Sequence, residues 1–479
     1  MKNQKISFIM AMLILFLGAC SEDKMDEIDF NNNILVKAPL SSLLPQVSAM
    51  FICQVRLNVN EHPIIGFAAE NRETTVGRNF YNEWGQTRPT WGLSFQLIRN
   101  LEYLKDEAIK QQGWGYAGIA DLLKVFTVSH LIDVFGDVPY QDAVKLDIVH
   151  PKFDNAKVVF DEILVLLDKA ILNLEKSGAV VFPKNEDLFF SGNMNLWIKT
   201  AYGLKARLNN RLSNLDPQGS AQKAISAIEK SFLNVNERLI WNKFVDVSGN
   251  QNPDTGPLNT VAIGNAIWNA MTYFSVNKRI EDDPRYLWFT IPVRTGVRAP
   301  APNGIAQSDF GIDIYNGGFY SRHEAWKFRA APAPLLTYSE LLFIKAESYF
   351  RLNNKFEAYK AYQEAVRTAL KEAFIYDFSK SLNDATINAY LSLPLVSPGQ
   401  ENLKLDDILL QKIISFEPFQ NIETYNEVRR TGILPATNPR GRIHRFPYPD
   451  DEIMRNPNSP QNINIQNVFL SENKLFWAK

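Results

Sequence analysis

Cysteine is scarce in this chain of 479 residues, which contains only Cys20 and Cys53. Two cysteines allow one disulfide at most, so the chain is not a small disulfide-stabilised scaffold. The fold must instead rest on packing. Hydrophobic residues make up 46% of the sequence, and a chain of this length can bury a large core with them.

Catalytic motifs are also missing. We find no G-x-S-x-G elbow, no H-E-x-x-H, no P-loop and no C-x-x-C pair, and only five histidines. His323-Glu324 lacks the second histidine of a zinc site, and Asp282-Asp283 is a carboxylate pair of a kind that any acidic chain contains. A glycosidase needs two acids at a set separation in space, which a sequence cannot show. The residues alone leave an enzyme open, but no motif supports one, and none predicts a cofactor or a catalytic metal.

Long runs of Lys or Arg do not occur. Without Lys2 and Lys5 of the leader described below, 49 basic residues face 52 acidic ones, a net charge near −3. Binding to nucleic acid needs a concentrated basic face. The charge pattern therefore argues against a nucleic-acid partner.

The N-terminus carries a short apolar run after two lysines, from Phe8 to Leu17. It is too short for a membrane-spanning helix, which needs about 20 apolar residues, and it fits a secretory signal peptide over residues 1–19. Leu17-Gly18-Ala19-Cys20 resembles the bacterial lipobox, in which the cysteine is acylated and becomes the mature N-terminus. An ordinary signal peptide ending at a cysteine is the alternative. With Cys20 acylated, Cys53 has no partner for a disulfide.

Residues 20–33 are predicted to form a lipidated linker, and its start, Ser21 to Glu27, is rich in acidic residues. This stretch resembles the surface-export signal of lipoproteins in the Bacteroidetes. A solvated acidic linker without a signal is the alternative. We expect a protein anchored in the outer membrane by its N-terminal lipid, with its globular body facing the cell exterior.

Most of the remaining chain shows the apolar spacing of amphipathic helices, which predicts a mainly α fold. Helical repeats are expected at about 117–232 and 335–373. The segment 335–370 matches a tetratricopeptide helix pair broken at Asn353-Asn354, with small and aromatic residues at the spacing of that motif. Repeat arrays of this kind are interaction scaffolds more often than catalysts.

Three regions break the helical pattern, and one of them is a short irregular stretch from Pro394 to Lys404. Residues 234–333 are rich in proline, glycine and aromatic residues, which predicts an irregular, loop-rich subdomain on the helical scaffold. The tail, 431–479, is rich in Asn, Pro and Arg, and we expect it to wrap back over the body. We treat residues 34–479 as one domain.

The chain resembles the SusD/RagB family of nutrient-binding outer-membrane lipoproteins over nearly all of its mature length. The resemblance is carried by several short motifs in order behind the lipobox. They are Phe135 to Tyr140, Leu336 to Glu347, Tyr425 to Gly432, Arg445 to Pro449, Asn456 to Asn458, and Phe476-Trp477.

The resemblance implies a tetratricopeptide-like helical scaffold with an irregular binding subdomain and no catalysis. It also implies a partner, a TonB-dependent outer-membrane transporter of the SusC type, over which the lipoprotein sits as a lid. The ligand implied is an oligosaccharide, or a peptide in some members.

Candidate ligand-binding residues lie in two aromatic segments. Sugar rings present an apolar face to an aromatic plane, while their hydroxyls bond to Asn, Asp and Arg, and Trp offers a large rigid face. An early loop-like segment and the irregular subdomain supply the binding face in the family that the chain resembles. The candidates are Trp84, Asn82, Arg78 and Trp91 in the early segment, and Trp288, Tyr320 and Trp326 in the irregular subdomain.

Core packing is the alternative role for each of these aromatics, because Trp is highly buried on average. We assign Trp114, Tyr116 and Trp197 to packing, and Phe476 and Trp477 to pinning the tail. Asp137 is predicted to cap a turn, and His130 to be a core histidine. Two rival functions stay open from the sequence: a hydrolase on the same scaffold, and an assembly protein whose groove binds only a protein.

Overall fold

The computed structural model describes residues 38–56, 68–70, 87–145, 147–176, 178–253, 261–263, 265–286, 328–374, 381–417, 420–436 and 440–478. The described residues are mostly helical, which confirms the predicted fold class. Their helices are α1 (Leu40–Arg56), α2 (Thr87–Lys110), α3 (Trp114–Phe135), α4 (Ala156–Glu175), α5 (Met194–Arg211), α6 (Pro217–Ile228), α7 (Asn265–Tyr273), α8 (Tyr338–Arg351), α9 (Lys355–Glu372), α10 (Asp384–Leu391), α11 (Leu405–Phe416), α12 (Asn421–Thr431) and α13 (Asp450–Arg455).

Helix α3 lies at the centre of the N-terminal helices, packed between α2 and α4. Nearly all of its residues are buried, because its sequence has no polar face. A helix that is apolar all round must be covered on every side. The helix ends at Gly136, whose φ of +80° favours glycine, and whose N–H bonds to the Ile132 carbonyl.

The start of helix α4 is fixed by two neighbouring polar side chains with separate roles. Its N-cap is Asn155, whose side chain accepts a hydrogen bond from Lys157 N. The Asp154 carboxylate instead accepts from Tyr140 N and Gln141 N, each at 2.9 Å, and so holds the turn after α3.

The predicted tetratricopeptide pair is present as α8 and α9. The chain turns at Asn353, which has a left-handed φ of 58°, and Asn354 caps α9 by accepting from Glu357 N. Ala346 and Ala358 are fully buried, since small side chains let the two helices approach closely.

The region 234–333, predicted to be irregular and loop-rich, contains short regular elements in its described part. It contains helix α7 and strand β2 (Leu239–Trp241), which pairs antiparallel with β4 (Ala333–Leu336). Strand β3 (Val261–Ile263) also lies in this region, and it pairs antiparallel with β1 (Ala68–Glu70) from the early part of the chain. The short apolar groups that form these elements are hidden in the sequence by the surrounding prolines and glycines.

The tail lies against the helical body. Phe446 N donates to the Val134 carbonyl at 2.8 Å, which joins the tail to the end of α3. Trp477 is fully buried beneath the guanidinium groups of Arg211 and Arg429, at 5.1 and 4.9 Å from its ring centroid. Phe476 contacts Phe160 of α4 edge-on.

Five helices meet at a buried group of charges, which we call the ionic cluster. Two arginine–glutamate pairs are bidentate: Arg207 donates to Glu340 at 2.6 Å, and Arg430 donates to Glu347 at 2.7 and 2.9 Å. The other members are Asp133, Arg211, Lys412, Glu423 and Glu427. The cluster joins α3, α5, α8, α11 and α12 at the centre of the molecule.

Candidate functional site

A surface cleft of about 610 Å³ opens between the segment that follows α7 and the helix α10. Residues 274–286 form one wall, and α10 with residues 393–395 forms the other. Small-molecule pockets have volumes of about 300–1,000 Å³ and are lined mainly by apolar residues. The cleft has this character, with Val276 77% and Leu395 39% exposed to solvent.

The first wall is held by hydrogen bonds within its own loop. Ser275 Oγ donates to Asp282 Oδ2 at 2.5 Å and accepts from Arg279 N at 2.9 Å. Lys278 turns the chain with a left-handed φ of 57°. The loop is therefore fixed in shape before any ligand binds.

The floor of the cleft is Tyr390, which is 3% exposed. Its hydroxyl donates to Asp283 Oδ2 at 2.9 Å and accepts from Gln411 Nε2 at 3.0 Å. Arg285 donates to both carboxylate oxygens of Asp283 and to Gln411 Oε1. Burial raises the pKa of Tyr390 well above its ordinary value, and the negative charge of Asp283 raises it further. The phenol therefore stays protonated and donates its hydrogen bond to Asp283.

Polar groups at the rim of the cleft are available to a ligand. Among the residues that the structure describes, the Asn277 amide, the Thr386 hydroxyl and Asp282 Oδ1 have no hydrogen-bond partner. Tyr286 supplies a half-buried aromatic ring to the same lining. The arrangement combines apolar surface with a few convergent polar groups, as ligand sites commonly do.

Trp91 is the one predicted ligand residue that lies within the described ranges, and it is a core residue. It is 7% exposed, stacks on Phe153 and meets Phe135 and Tyr448 edge-on, with centroids 5.0–5.9 Å apart. Its Nε1 donates to Glu452 Oε2 at 3.2 Å. Because the side chain is buried among these aromatic rings, the prediction that Trp91 is a ligand platform disagrees with the structure.

The other predicted site residues lie outside the described ranges, and so does the lipidation site. They are Trp84, Asn82, Arg78, Trp288, Tyr320, Trp326 and Cys20.

Several residues assigned to packing have that role. Trp197 and Tyr116 are buried at 0% and 1% exposure, and Trp197 Nε1 donates to Asp187 Oδ2 at 2.8 Å. His130 is buried in α3, where burial lowers its pKa to about 4. Asp137 accepts a hydrogen bond from Ala156 N at 2.8 Å, at the start of α4.

The cleft residues themselves were not singled out from the sequence. Tyr286 is one of many aromatics of the irregular region, and Asp282 belongs to a carboxylate pair that looked unremarkable. One sequence feature could have pointed to the cleft: each wall contains a proline that breaks the helical pattern, Pro284 in one and Pro394 in the other. Nothing in the sequence shows that the two breaks meet.

The pKa values of the ionic cluster are also strongly shifted. Burial alone would raise the pKa of Glu423, but the Arg211 and Arg207 guanidiniums outweigh burial and lower that pKa to about 2. Perturbed groups can mark an active site, but the side chains of the cluster are buried and its carboxylates are paired with cations. The cluster therefore has a structural role, in which its ion pairs hold the helices together.

The described residues contain no group of three or more His, Cys, Asp and Glu arranged to hold a metal ion. Within the same ranges, no helix combines the length and the hydrophobicity needed to cross a bilayer.

The fold and the cleft define a helical-array protein with a surface cleft beside its irregular region. The chain belongs to the SusD-like family: the family model described as "Starch-binding associating with outer membrane" matches residues 32–449. This confirms the resemblance drawn from the sequence motifs. Members of the family are binding proteins.

Solved structures of the same family have the same fold. A SusD/RagB family protein from Bacteroides thetaiotaomicron has a TM-score of 0.79 at 20% identity, over 92% of this chain and 99% of that one. A chitin-binding SusD homologue from Flavobacterium johnsoniae has a TM-score of 0.72 at 17% identity, over 92% and 98%. No curated relative matches the chain in sequence.

Proposed function

We propose that this protein is a non-catalytic, cell-surface lipoprotein that captures a glycan nutrient. Its membership of the SusD-like family, whose description is starch-binding and outer-membrane-associated, carries the proposal. Two of the similar structures are chitin-binding proteins, which favours a glycan over a peptide.

The ligand surface that we propose combines the cleft with the two aromatic segments that the sequence singles out. Trp288 follows Tyr286, a lining residue, by two positions. Tyr320 and Trp326 belong to the same aromatic region, and Trp84, Asn82 and Arg78 to the early segment. The supporting argument is chemical: indole faces and amide or guanidinium groups are the groups that sugars need.

The proposed partner is a SusC-like, TonB-dependent transporter of the outer membrane, to which the captured glycan is delivered. The family's association with the outer membrane supports this proposal. Mild solubilisation of native membranes should co-purify the lipoprotein with a β-barrel transporter. Recovery of the lipoprotein alone under conditions that keep other membrane complexes intact would contradict the partnership.

Calorimetry of the purified protein against a panel of glycans and peptides tests the main proposal. We expect at least one glycan to bind and none to be turned over. Trp84→Ala should weaken binding by about 1–3 kcal/mol, by analogy with bases stacked on aromatic side chains, without loss of stability. Tyr103→Ala, which removes an aromatic ring that is 42% exposed on α2, is the matched control. Hydrolysis of any glycan, or binding only of peptides, would refute the proposal.

A further inference from the structure

The accessible lining of the cleft is more aliphatic than aromatic. Its aliphatic and proline side chains include Val276, Leu382, Leu393, Leu395, Pro284 and Pro394. Among its aromatic members, Phe274 and Tyr390 are only 2% and 3% exposed, and Tyr286 is half-buried. A sugar that stacks on an aromatic plane needs an exposed ring face. The cleft is therefore better suited to an aliphatic group of a ligand than to stacking of a sugar ring.

Three polar side chains of the same lining keep hydrogen-bonding capacity. Among the described residues, the side chains of Asn277 and Thr386 make no hydrogen bond. Asp282 accepts from Ser275 through Oδ2, which leaves Oδ1 to a ligand. A carboxylate only accepts, whereas a hydroxyl or a side-chain amide both donates and accepts. The cleft thus offers a ligand acceptors and donors beside aliphatic surface.

We propose that the cleft is a subsite for an N-acetylated sugar unit and recognises its acetamido group. This inference rests on the proposed function, because it assumes that the ligand is a glycan. An acetamido group joins a methyl group to one N–H donor and one carbonyl acceptor, which is the combination that the lining matches. A plain hexose has no methyl group, and a 6-deoxy sugar has a methyl group without the amide.

Each part of the acetamido group has a counterpart in the lining. The methyl group would leave water against Val276 and Leu395, which are 77% and 39% exposed without a ligand. The N–H has an acceptor in Asp282 Oδ1, and the carbonyl has donors in the Thr386 hydroxyl and the Asn277 amide.

The size and the rigidity of the cleft support a site for a whole sugar unit. Its volume of about 610 Å³ lies in the range of pockets that hold complete small molecules. Tyr390 is held by Asp283 and Gln411, and the opposite loop is held by the bond from Ser275 to Asp282. A preformed site loses little conformational entropy when a ligand binds.

The test is saturation-transfer NMR of the full-length lipoprotein in deuterated detergent, with monosaccharides as probes. The probes are N-acetylglucosamine and N-acetylgalactosamine, with glucose, galactose and fucose for comparison. We expect the two N-acetylated sugars to bind, with the strongest saturation on the acetamido methyl group. Glucose, galactose and fucose should bind at least roughly 10-fold more weakly, because they lack the methyl contact, the amide hydrogen bonds or both.

One pair of variants locates the binding. Ala389→Trp fills the cleft from an exposed position of α10, and it should abolish the signal of the acetamido methyl group. Ala385→Trp adds the same side chain at an exposed position of the same helix outside the lining, and it should leave the signal intact.

Further variants separate the two parts of the acetamido group. Thr386→Val keeps the shape of the side chain but removes its hydroxyl, and the affinity for N-acetylglucosamine should fall roughly 3- to 10-fold. Leu395→Ala should lower the same affinity by a similar factor, because it removes aliphatic surface from the lining. Leu233→Ala, which removes an exposed leucine outside the lining, is the control and should not change it.

The results distinguish a failure of the inference from a failure of the proposed function. Glucose or galactose binding as tightly as the N-acetylated sugars would refute the inference, and so would an acetamido signal that survives Ala389→Trp. Fucose binding as tightly would show that a methyl group alone is recognised and would refute the role of the amide. In each case the proposed function still stands if a glycan of the calorimetric panel binds. If no sugar binds in either experiment, the proposed function fails together with the inference.

Discussion

Tyr390 lines the cleft and donates its hydroxyl hydrogen to Asp283 Oδ2 at 2.9 Å, so one residue joins the cleft to a buried ion pair. Asp283 accepts in turn from Arg285, and Gln411 of α11 bonds to both Tyr390 and Arg285. The position of the cleft floor is thus set by residues of three separate segments. Changes in this network should alter both stability and binding.

Removing that hydroxyl provides a direct test. Tyr390→Phe keeps the ring but leaves a buried charged acceptor with one donor fewer, so we expect a loss of about 1.5–3 kcal/mol in the free energy of unfolding, measured with urea. Tyr359→Phe is the control, because the Tyr359 hydroxyl accepts only a neutral bond, from Gln363, near the surface. Equal losses in the two variants would contradict a special role for the bond to Asp283.

Trp91 offers a test of core packing against ligand contact. Trp91→Ala should lower the free energy of unfolding by about 3–5 kcal/mol, because it removes a large buried ring. Ligand affinity of the folded protein should not change. Tyr103→Ala in the same helix should cost no more than about 0.5 kcal/mol. A loss of affinity with little loss of stability would restore Trp91 as a ligand platform.

The burial of Trp91 could not be predicted from the sequence around it. Gly85 and Pro89 suggested a loop, but α2 begins at Thr87, and proline is tolerated in the first turn of a helix. The face that Trp91 presents depends on Tyr448 and Glu452, which come from the far end of the chain. The local sequence pattern around Trp91 cannot predict contacts with residues that lie more than 350 positions away in the chain.

The long helices were predictable because their apolar spacing is regular over several turns, as in α4 and α9. Helices α7 and α10 were missed, since nine and eight residues carry too little periodicity to be recognised. The cleft was missed for a tertiary reason. Its two walls are separated in sequence by the whole α8–α9 pair, and local sequence patterns do not show that they meet.

The ionic cluster should dominate the response to losing a single charge. Arg430→Met leaves Glu347 and Glu427 without their strongest partner in a buried site, and we expect a cost of about 3–5 kcal/mol, measured by urea denaturation. Lys157→Met breaks the exposed pair with Asp161 and should cost at most about 0.5 kcal/mol. An equal loss in the free energy of unfolding for both variants would contradict the claim that burial makes the ionic cluster more important for stability than an exposed ion pair.

Glu372 makes stability depend on pH near neutrality. Burial raises the pKa of this carboxyl to about 7, while hydrogen bonds from Ser339 and the charge of Arg238 oppose the rise. Between about pH 4.5 and 7 the folded state holds a proton that the unfolded state has lost, so stability falls as pH rises through this window.

The matched variant is Glu372→Gln, which cannot titrate. The wild-type protein should lose on the order of 2–3 kcal/mol between pH 5 and pH 8 through this group, and the variant should lack that part of the slope. Urea denaturation at both pH values measures the difference. Glu401→Gln, at an exposed glutamate, should keep the wild-type slope. An unchanged slope in Glu372→Gln would show that Glu372 is not the group responsible.

Cys20 and Cys53 allow a controlled test of the membrane anchor, since they are the only thiols in the chain. Cys20→Ala should leave the protein without lipid and release it from the membrane fraction, because the acylated thiol is the proposed anchor. Cys53→Ala, at an exposed position of α1, should still fractionate with the outer membrane and carry the lipid mass. Membrane fractionation with mass spectrometry of the N-terminal peptide decides the result. A lipidated, membrane-bound Cys20→Ala protein would show that Leu17-Gly18-Ala19-Cys20 is not a lipobox.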